Sequence, residues 1–288
     1  MDATNRVTAG AVRPKGGLLV GLARACHPGP TAAVTLLMTA LAVSAGHSAR
    51  GSVLVGVAVL AGQLSVGWCN DAVDARRDRA ADRHDKPVVS GAVTAGAVRA
   101  AALMALVACV PLSLSGGLFA GSVHLVGVGG AWAYNLVLKA TRLSWLPYAA
   151  GFAALPAFVV LSLPGRAAPA WWVVTAGALL GVGAHLGNVL PDIECDLRAG
   201  VRGWPQRLGP TWTRLLLPAP LVVASAVLVL GGPGVPGVAS WAALVVAALT
   251  ALVSALLGGR CVRLPFIASI LVAGMDVALL VGRGGLIA

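Results

Sequence analysis

Residues 70–85 read NDAVDARRDRAADRHD, and this stretch governs how the chain is understood, because it is dense in carboxylates where almost everything around it is apolar. It holds five of the ten acidic residues in a chain of 288. A shorter stretch, 192–196 (DIECD), holds three more. The chain as a whole is 58% hydrophobic and 11% charged, with a mean hydropathy of +0.88. That lies far outside the range of a soluble globular domain and marks a polytopic membrane protein.

Charge-free segments recur that are long enough for a hydrocarbon core of ~30 Å, which takes roughly 20 helical residues. They are continuously apolar, without the period-two alternation of a membrane β-barrel. The expectation is an all-α bundle of nine transmembrane helices around a central cavity. The first two spans cover about 26–46 and 51–69, the second running directly into the acidic stretch. Residues 100–138 are uncharged and too long for one helix, and Pro111, Ser113, Ser115, Gly116 and Gly117 supply a break between spans three and four. Spans five to nine follow at about 143–163, 170–190, 215–230, 238–257 and 264–281. Residues 1–24 read as a loosely ordered cytoplasmic tail, and 25–288 as one transmembrane domain.

The positive-inside rule supports this count. With the N-terminus inside, 18 of the 21 Lys and Arg fall on the cytoplasmic side, leaving Arg50, Arg166 and Arg283 outside. Both acidic stretches then face the cytoplasm, and the C-terminus lies outside. The net charge of +11 is not a nucleic-acid signature, because the basic residues lie between apolar runs and no basic arm interleaved with aromatics exists. The five cysteines are scattered without CxxC spacing, which gives neither a disulfide framework nor a zinc site. Nothing in the pattern specifies an oligomeric state.

Asn70, Asp71, Asp74 and Asp78 are spaced by three and four, which puts three aspartates on one helical face. Like charges repel there unless a cation, basic side chains or water offset them, and divalent oxygen-ligand chemistry is the natural compensation. Asn188, Asp192 and Asp196, each four apart, repeat the arrangement. Asp71 and Asp192 are 121 residues apart, each directly after a span, so the chain divides into two four-helix units plus a ninth helix. Magnesium keeps several waters and is shared with substrate phosphates, so the pair of motifs predicts Mg²⁺ ions and a diphosphate at the membrane surface. The rest of the first stretch, with Asp82, Asp85 and the arginines, reads as a charge-balanced cap.

These residues resemble the two signature motifs of the UbiA-type intramembrane prenyltransferases. The first is Asn70 to Asp78 followed by Lys86, Pro87, Val88, Val89, Ser90 and Gly91; the second is Asn188, Asp192 and Asp196 with Gly200, Leu208 and Gly209. Tyr134 and Lys139 match a Tyr-then-Lys ending to the fourth helix. The resemblance implies a lipid-open helical bundle in which Mg²⁺ and a polyprenyl diphosphate bind, the diphosphate leaves, and an acceptor, commonly an electron-rich aromatic ring, attacks the allylic cation. It makes Asn70, Asp71, Asp74, Asp78, Asn188, Asp192 and Asp196 metal and diphosphate ligands, and Lys86, Tyr134, Lys139 and Arg202 substrate contacts. Gly200, Val201, Arg202 and Gly203 stand where the family often has Gly-Lys-Arg-Thr.

Polar candidates for an acceptor pocket are few: His27, Gln63 and Tyr134. Asp276 lies within span nine, away from both motifs, and the tryptophans mostly flank spans as interface anchors. A terpene cyclase on the same scaffold would use the same seven ligands without an acceptor. A transporter fits less well, since transport sites lie near the bilayer midplane and these carboxylates gather at one face.

Overall fold

The computed structural model describes residues 17–165, 168–257 and 264–283. Described structure is helical, with no β-strand among those residues. Residues 1–16, 166–167, 258–263 and 284–288 lie outside the described residues.

Leu18–Ala25 forms a helix, α1, where a loose tail was expected. It is held in place by its neighbours: the Trp68 indole donates to the Leu22 carbonyl at 2.8 Å, and Gly21 and Ala25 are buried. At His27 (φ 56°) the chain turns 69° into α2, Pro28–Ser44. α3, Ala49–Ala80, starts at Ser48, whose hydroxyl accepts from the Gly51 N–H, and runs unbroken for 32 residues, about 48 Å. This exceeds a hydrocarbon core, so its last turns carry the first acidic motif out of the apolar zone as a helical face.

α4, Ala95–Leu114, and α5, Leu118–Leu136, follow. Pro111 sits inside α4 without ending it, and the break between the two falls at the C-terminal part of the expected segment, residues 115–117, where Gly117 has a φ of 110° that suits glycine. A short 3₁₀ turn, Leu138–Ala140, leads to α6, Leu146–Leu161, and α7, Trp171–Val189. The second motif is not the uninterrupted helix that its spacing predicts. Pro191 supplies no N–H, the chain tightens into a 3₁₀ turn over Leu190–Asp192, and α8, Ile193–Arg198, carries Asp196. α9, Trp204–Leu216, kinks at Gly209 and bends 48° into α10, Pro218–Gly231; α11, Val238–Leu257, and α12, Leu264–Arg283, complete the chain.

Each expected span coincides with a helix, yet among the described residues four qualify alone by length and apolarity: α3, α4, the run Trp171–Arg198 and α11. Counting the bent pairs α1–α2 and α9–α10 as single spans gives six. α6, with 16 residues, is about 24 Å long and falls short by itself. The main core draws Leu41, Val59, Phe158, Val173, Ala224 and Leu228 from five helices around α7. Trp171 and Trp241 are exposed on the periphery as anchors would be, whereas Trp172 is buried and Trp132 donates to Ser65 Oγ at 3.3 Å.

Close approach of α6 and α7 fixes where the second motif emerges. A Cβ on Gly181 would meet the Tyr148 backbone and lie 2.9 Å from Phe152 Cβ, and one on Gly177 would lie 2.7 Å from the Phe152 carbonyl oxygen. Gly181→Val is therefore expected to lower stability by about 1–3 kcal/mol through overpacking, read as a drop in the thermal unfolding midpoint in detergent. Gly129→Ala, with nothing within 4 Å of the added carbon and helical backbone on both sides, should not lower the midpoint.

Candidate active site

The C-terminal turns of α3, the end of α5, the start of α6, the α7–α8 junction and the start of α9 meet at one end of the bundle. α3 presents Asp71, Asp74 and Asp78 on a face that is almost wholly buried, at 2%, 7% and 6% exposure. Three carboxylates cannot sit there uncompensated, and each has basic partners. Asp71 Oδ1 accepts from Lys86 Nζ at 2.8 Å and lies 3.0 Å from His27 Nε2. Asp74 accepts from Arg77 at 2.9 Å, from Lys139 Nζ at 2.5 Å and from the Asn70 amide at 3.4 Å. Asn70 also donates to Asn135 Oδ1 at 3.2 Å, and Asn135 donates to the Val66 carbonyl at 3.1 Å, tying the motif to α5.

Arg83 joins the two motifs. Its Nη1 lies 3.6 Å from Asp78 Oδ1 and 3.7 Å from Asp192 Oδ2. Partial burial opposes its charge, but Asp192, Asp78 and Asp85 more than offset this and hold the guanidinium above its ordinary pKa. The charge-balanced cap expected for this segment thus contains the residue that bridges the site. Asp196 accepts from the buried Gln206 amide at 2.8 Å and lies within electrostatic reach of Lys139, Asp192 and Asp74. Lys139 is therefore a second link between the motifs.

Inside this charged ring lies an aromatic cluster. Tyr134 and Tyr148 meet edge to face at 5.2 Å between ring centroids, and His185 stands 5.7 Å from Tyr134 and 4.8 Å from Tyr148. Asn188 faces this cluster, donating to the Tyr148 hydroxyl at 3.2 Å. The Trp204 N–H donates to Ser144 Oγ at 3.0 Å, and Ser144 lies 3.1 Å from His185 Nε2. Arg202 is exposed, and its carbonyl accepts from Arg207 Nε at 2.8 Å, so the structure draws no contact between its side chain and the carboxylates.

Five carboxylates and two carboxamides are hard oxygen donors of the kind that suits Mg²⁺. Among the described residues no three His, Cys, Asp or Glu side chains converge into a preformed cage. Carboxylates offered in ones and twos suit an ion that keeps its waters and shares phosphate oxygens. The donor set fits the metal, with Lys86, Lys139 and Arg83 as cations beside it.

The sequence reading named the seven motif residues with Lys86, Tyr134 and Lys139, and these do gather at this end of the bundle. It did not find Arg83, Asn135, Ser144, Tyr148, His185 or Gln206, because their roles depend on pairings between separate segments of the chain, nor Arg77, whose i,i+3 pairing with Asp74 on α3 was hidden in the run of arginines. His27, read as an acceptor-pocket candidate, contacts Asp71 at 3.0 Å. A positive φ at a residue other than glycine is a strained arrangement that marks such contacts, but it is visible only in the fold.

The UbiA prenyltransferase family model matches residues 31–267. The chain belongs to this family. The chain is 31% identical over 172 residues to the bacteriochlorophyll synthase 33 kDa chain of Cereibacter sphaeroides, a match covering 55% of each, so it spans about half the length of that curated relative. A UbiA homolog from Aeropyrum pernix K1 superposes with a TM-score of 0.68 at 19% identity, covering 87% of this chain and 97% of that one. A UbiA homolog from Archaeoglobus fulgidus bound to DMAPP and Mg²⁺ gives 0.65 at 15% identity, covering 90% and 99%. These likenesses establish that the all-helical UbiA membrane fold is shared.

A metal titration separates the site from the surrounding charge. With Mn²⁺ as a paramagnetic stand-in and inorganic diphosphate present, Asp71→Asn or Asp192→Asn is expected to weaken ion binding at least about tenfold if each carboxylate ligates the ion directly. Asp82→Asn should not, because Asp82 is exposed and pairs with His84 at 2.8 Å.

Proposed function

We propose that the chain is a Mg²⁺-dependent intramembrane prenyltransferase that takes a polyprenyl diphosphate at the meeting of its two acidic motifs and passes the prenyl group to a small aromatic acceptor. The observation that carries this reading is Arg83 lying between Asp78 and Asp192, which ties motifs whose leading aspartates are 121 residues apart in sequence to one side chain. Solved UbiA homologs from Archaeoglobus fulgidus bound to DMAPP with Mg²⁺ and to GPP with Mg²⁺ support the donor and the ion. The bacteriochlorophyll synthase relative supports transfer to a ring-bearing acceptor.

Asp71, Asp74, Asp78, Asp192 and Asp196, with Asn70 and Asn188 beside them, would hold the metal. Bound Mg²⁺ supplies charge stabilisation on the departing diphosphate. Lys86 and Lys139, each on an aspartate here, turn their remaining donors to phosphate oxygens, and Arg83 offers a planar fork to the same group. Arg202, at the rim, adds long-range positive potential. Tyr134 and Tyr148 present aromatic faces just inside the charged ring, where positive charge develops on the allylic carbon. The apolar helices beyond them receive the prenyl chain and exclude water, so the cation meets the acceptor first.

The same reading gives nine membrane crossings, made of two four-helix units and a ninth helix within 25–288, with the tail of residues 1–24 and both motifs on the cytoplasmic side. The confinement of 18 of the 21 Lys and Arg to that side supports it.

The test is turnover in membranes supplied with Mg²⁺ and prenyl diphosphates of several lengths, with and without hydroxybenzoate, dihydroxynaphthoate or chlorophyllide-type acceptors. Diphosphate release that requires an acceptor is expected; a cyclic hydrocarbon or alcohol formed without one would contradict the transferase reading. Asp71→Ala and Asp192→Ala should each reduce turnover by about 100-fold or more while inserting normally, as expected when a principal charge-stabilising group is removed.

A further inference from the structure

Followed along α7 away from the carboxylates, Asn188 meets Tyr148, Gly181 meets the Tyr148 backbone and Gly177 meets the Phe152 backbone. Beyond them residues of α2, α6, α7, α10 and α12 line a partly open cavity of about 70 Å³. Met38, Phe152, Leu155, Val173 and Leu180 are among its apolar walls, and Asp276 is the charged side chain on them. Asp276 is only 1% exposed. Its Oδ1 accepts from Ser225 Oγ at 2.9 Å, while its Oδ2 is buried without a partner. A carboxylate built only to tie α12 to α10 would have both oxygens engaged, because a buried unpaired polar atom is costly and membrane carboxylates are retained for use.

The wall chemistry selects the occupant. The volume exceeds the ~10–15 Å³ that one water needs, but an ordered water also needs two to four polar partners, and Asp276 is the one polar side chain on this wall. A ligand carrying its own apolar body and a single polar end is better matched. A hydroxyl both donates and accepts, so it satisfies Oδ2 whether the acid is ionised or neutral; an ammonium would need full desolvation, and a carbonyl could pair only with the neutral acid. We infer that this cavity is a second binding site, for the hydroxyl-bearing end of an apolar alcohol, with Asp276 Oδ2 as its anchor. The site stands apart from the proposed transfer chemistry and requires neither metal nor diphosphate.

The experiment is equilibrium binding of tritiated 1-dodecanol and tritiated farnesol to the full chain in nanodiscs containing EDTA, with dodecane as competitor. Saturable binding of one or both alcohols is expected, with dodecane competing at least tenfold more weakly. A preference for farnesol would identify an isoprenoid alcohol as the source, and a preference for dodecanol a membrane-derived one. Asp276→Leu should abolish the tenfold advantage of alcohol over alkane. Asp276→Asn, whose amide both donates and accepts, should keep most of it, and Ala273→Phe should fill the cavity and remove binding altogether. No saturable binding, equal binding of alcohol and alkane, or an alcohol preference that survives both Asp276→Leu and Ala273→Phe would overturn the proposal. So would displacement of the alcohol by Mg²⁺ with inorganic diphosphate, which would place it in the acidic site.

Discussion

Five carboxylates gathered at one end of an apolar bundle set the terms for the rest of the molecule. Left unpaired, Asp71, Asp74 and Asp78 would be expelled from so buried a face. Their compensation draws on distant parts of the chain: His27 at the α1–α2 turn, Lys86 in the loop after α3, Lys139 after α5, and Arg83 reaching across to Asp192. The path of the chain at this end therefore follows the pairing of charge. Breaks at His27, Pro191 and Gly209 let the helices end where the partners are needed.

Those pairings also keep the site adjustable. Each basic group is held by an aspartate that an oxygen-seeking cation can take over, which frees the basic group for a phosphate. Mg²⁺ and diphosphate would thus exchange partners with an existing network, while Gln206 and Asn135 keep Asp196 and Asn70 in position. Tyr134, Tyr148 and His185 form the boundary between this charged layer and the apolar helices. On the far side of that boundary Asp276 is the buried acid among the described residues, set in apolar surroundings.

Much of this was legible in the sequence, for physical reasons. Apolar run length specified an all-helical membrane fold, and three- and four-residue spacing placed Asp71, Asp74 and Asp78 on one face because α3 continues unbroken beyond the apolar zone. The same spacing argument was less apt for Asn188, Asp192 and Asp196. Pro191 interrupts that helix, and Asn188 turns to Tyr148. Arg83 read as part of a solvated charge run, since nothing local distinguishes it from Arg79; only the approach of α3 to the α7–α8 junction gives it two carboxylates. α1 was missed because eight residues leave too short a pattern to separate a docked helix from a tail.

The central claim is that the two acidic motifs form one diphosphate site rather than two separate charged loops. The most direct measurement is an experimental structure with Mg²⁺ and a non-reactive prenyl thiodiphosphate. The account predicts diphosphate density between the α3 carboxylates and those of Asp192 and Asp196, with Lys86, Lys139 and Arg83 turned onto phosphate oxygens. Density in contact with one motif alone, or an Arg83 still bridging Asp78 and Asp192 with the ligand bound elsewhere, would contradict it.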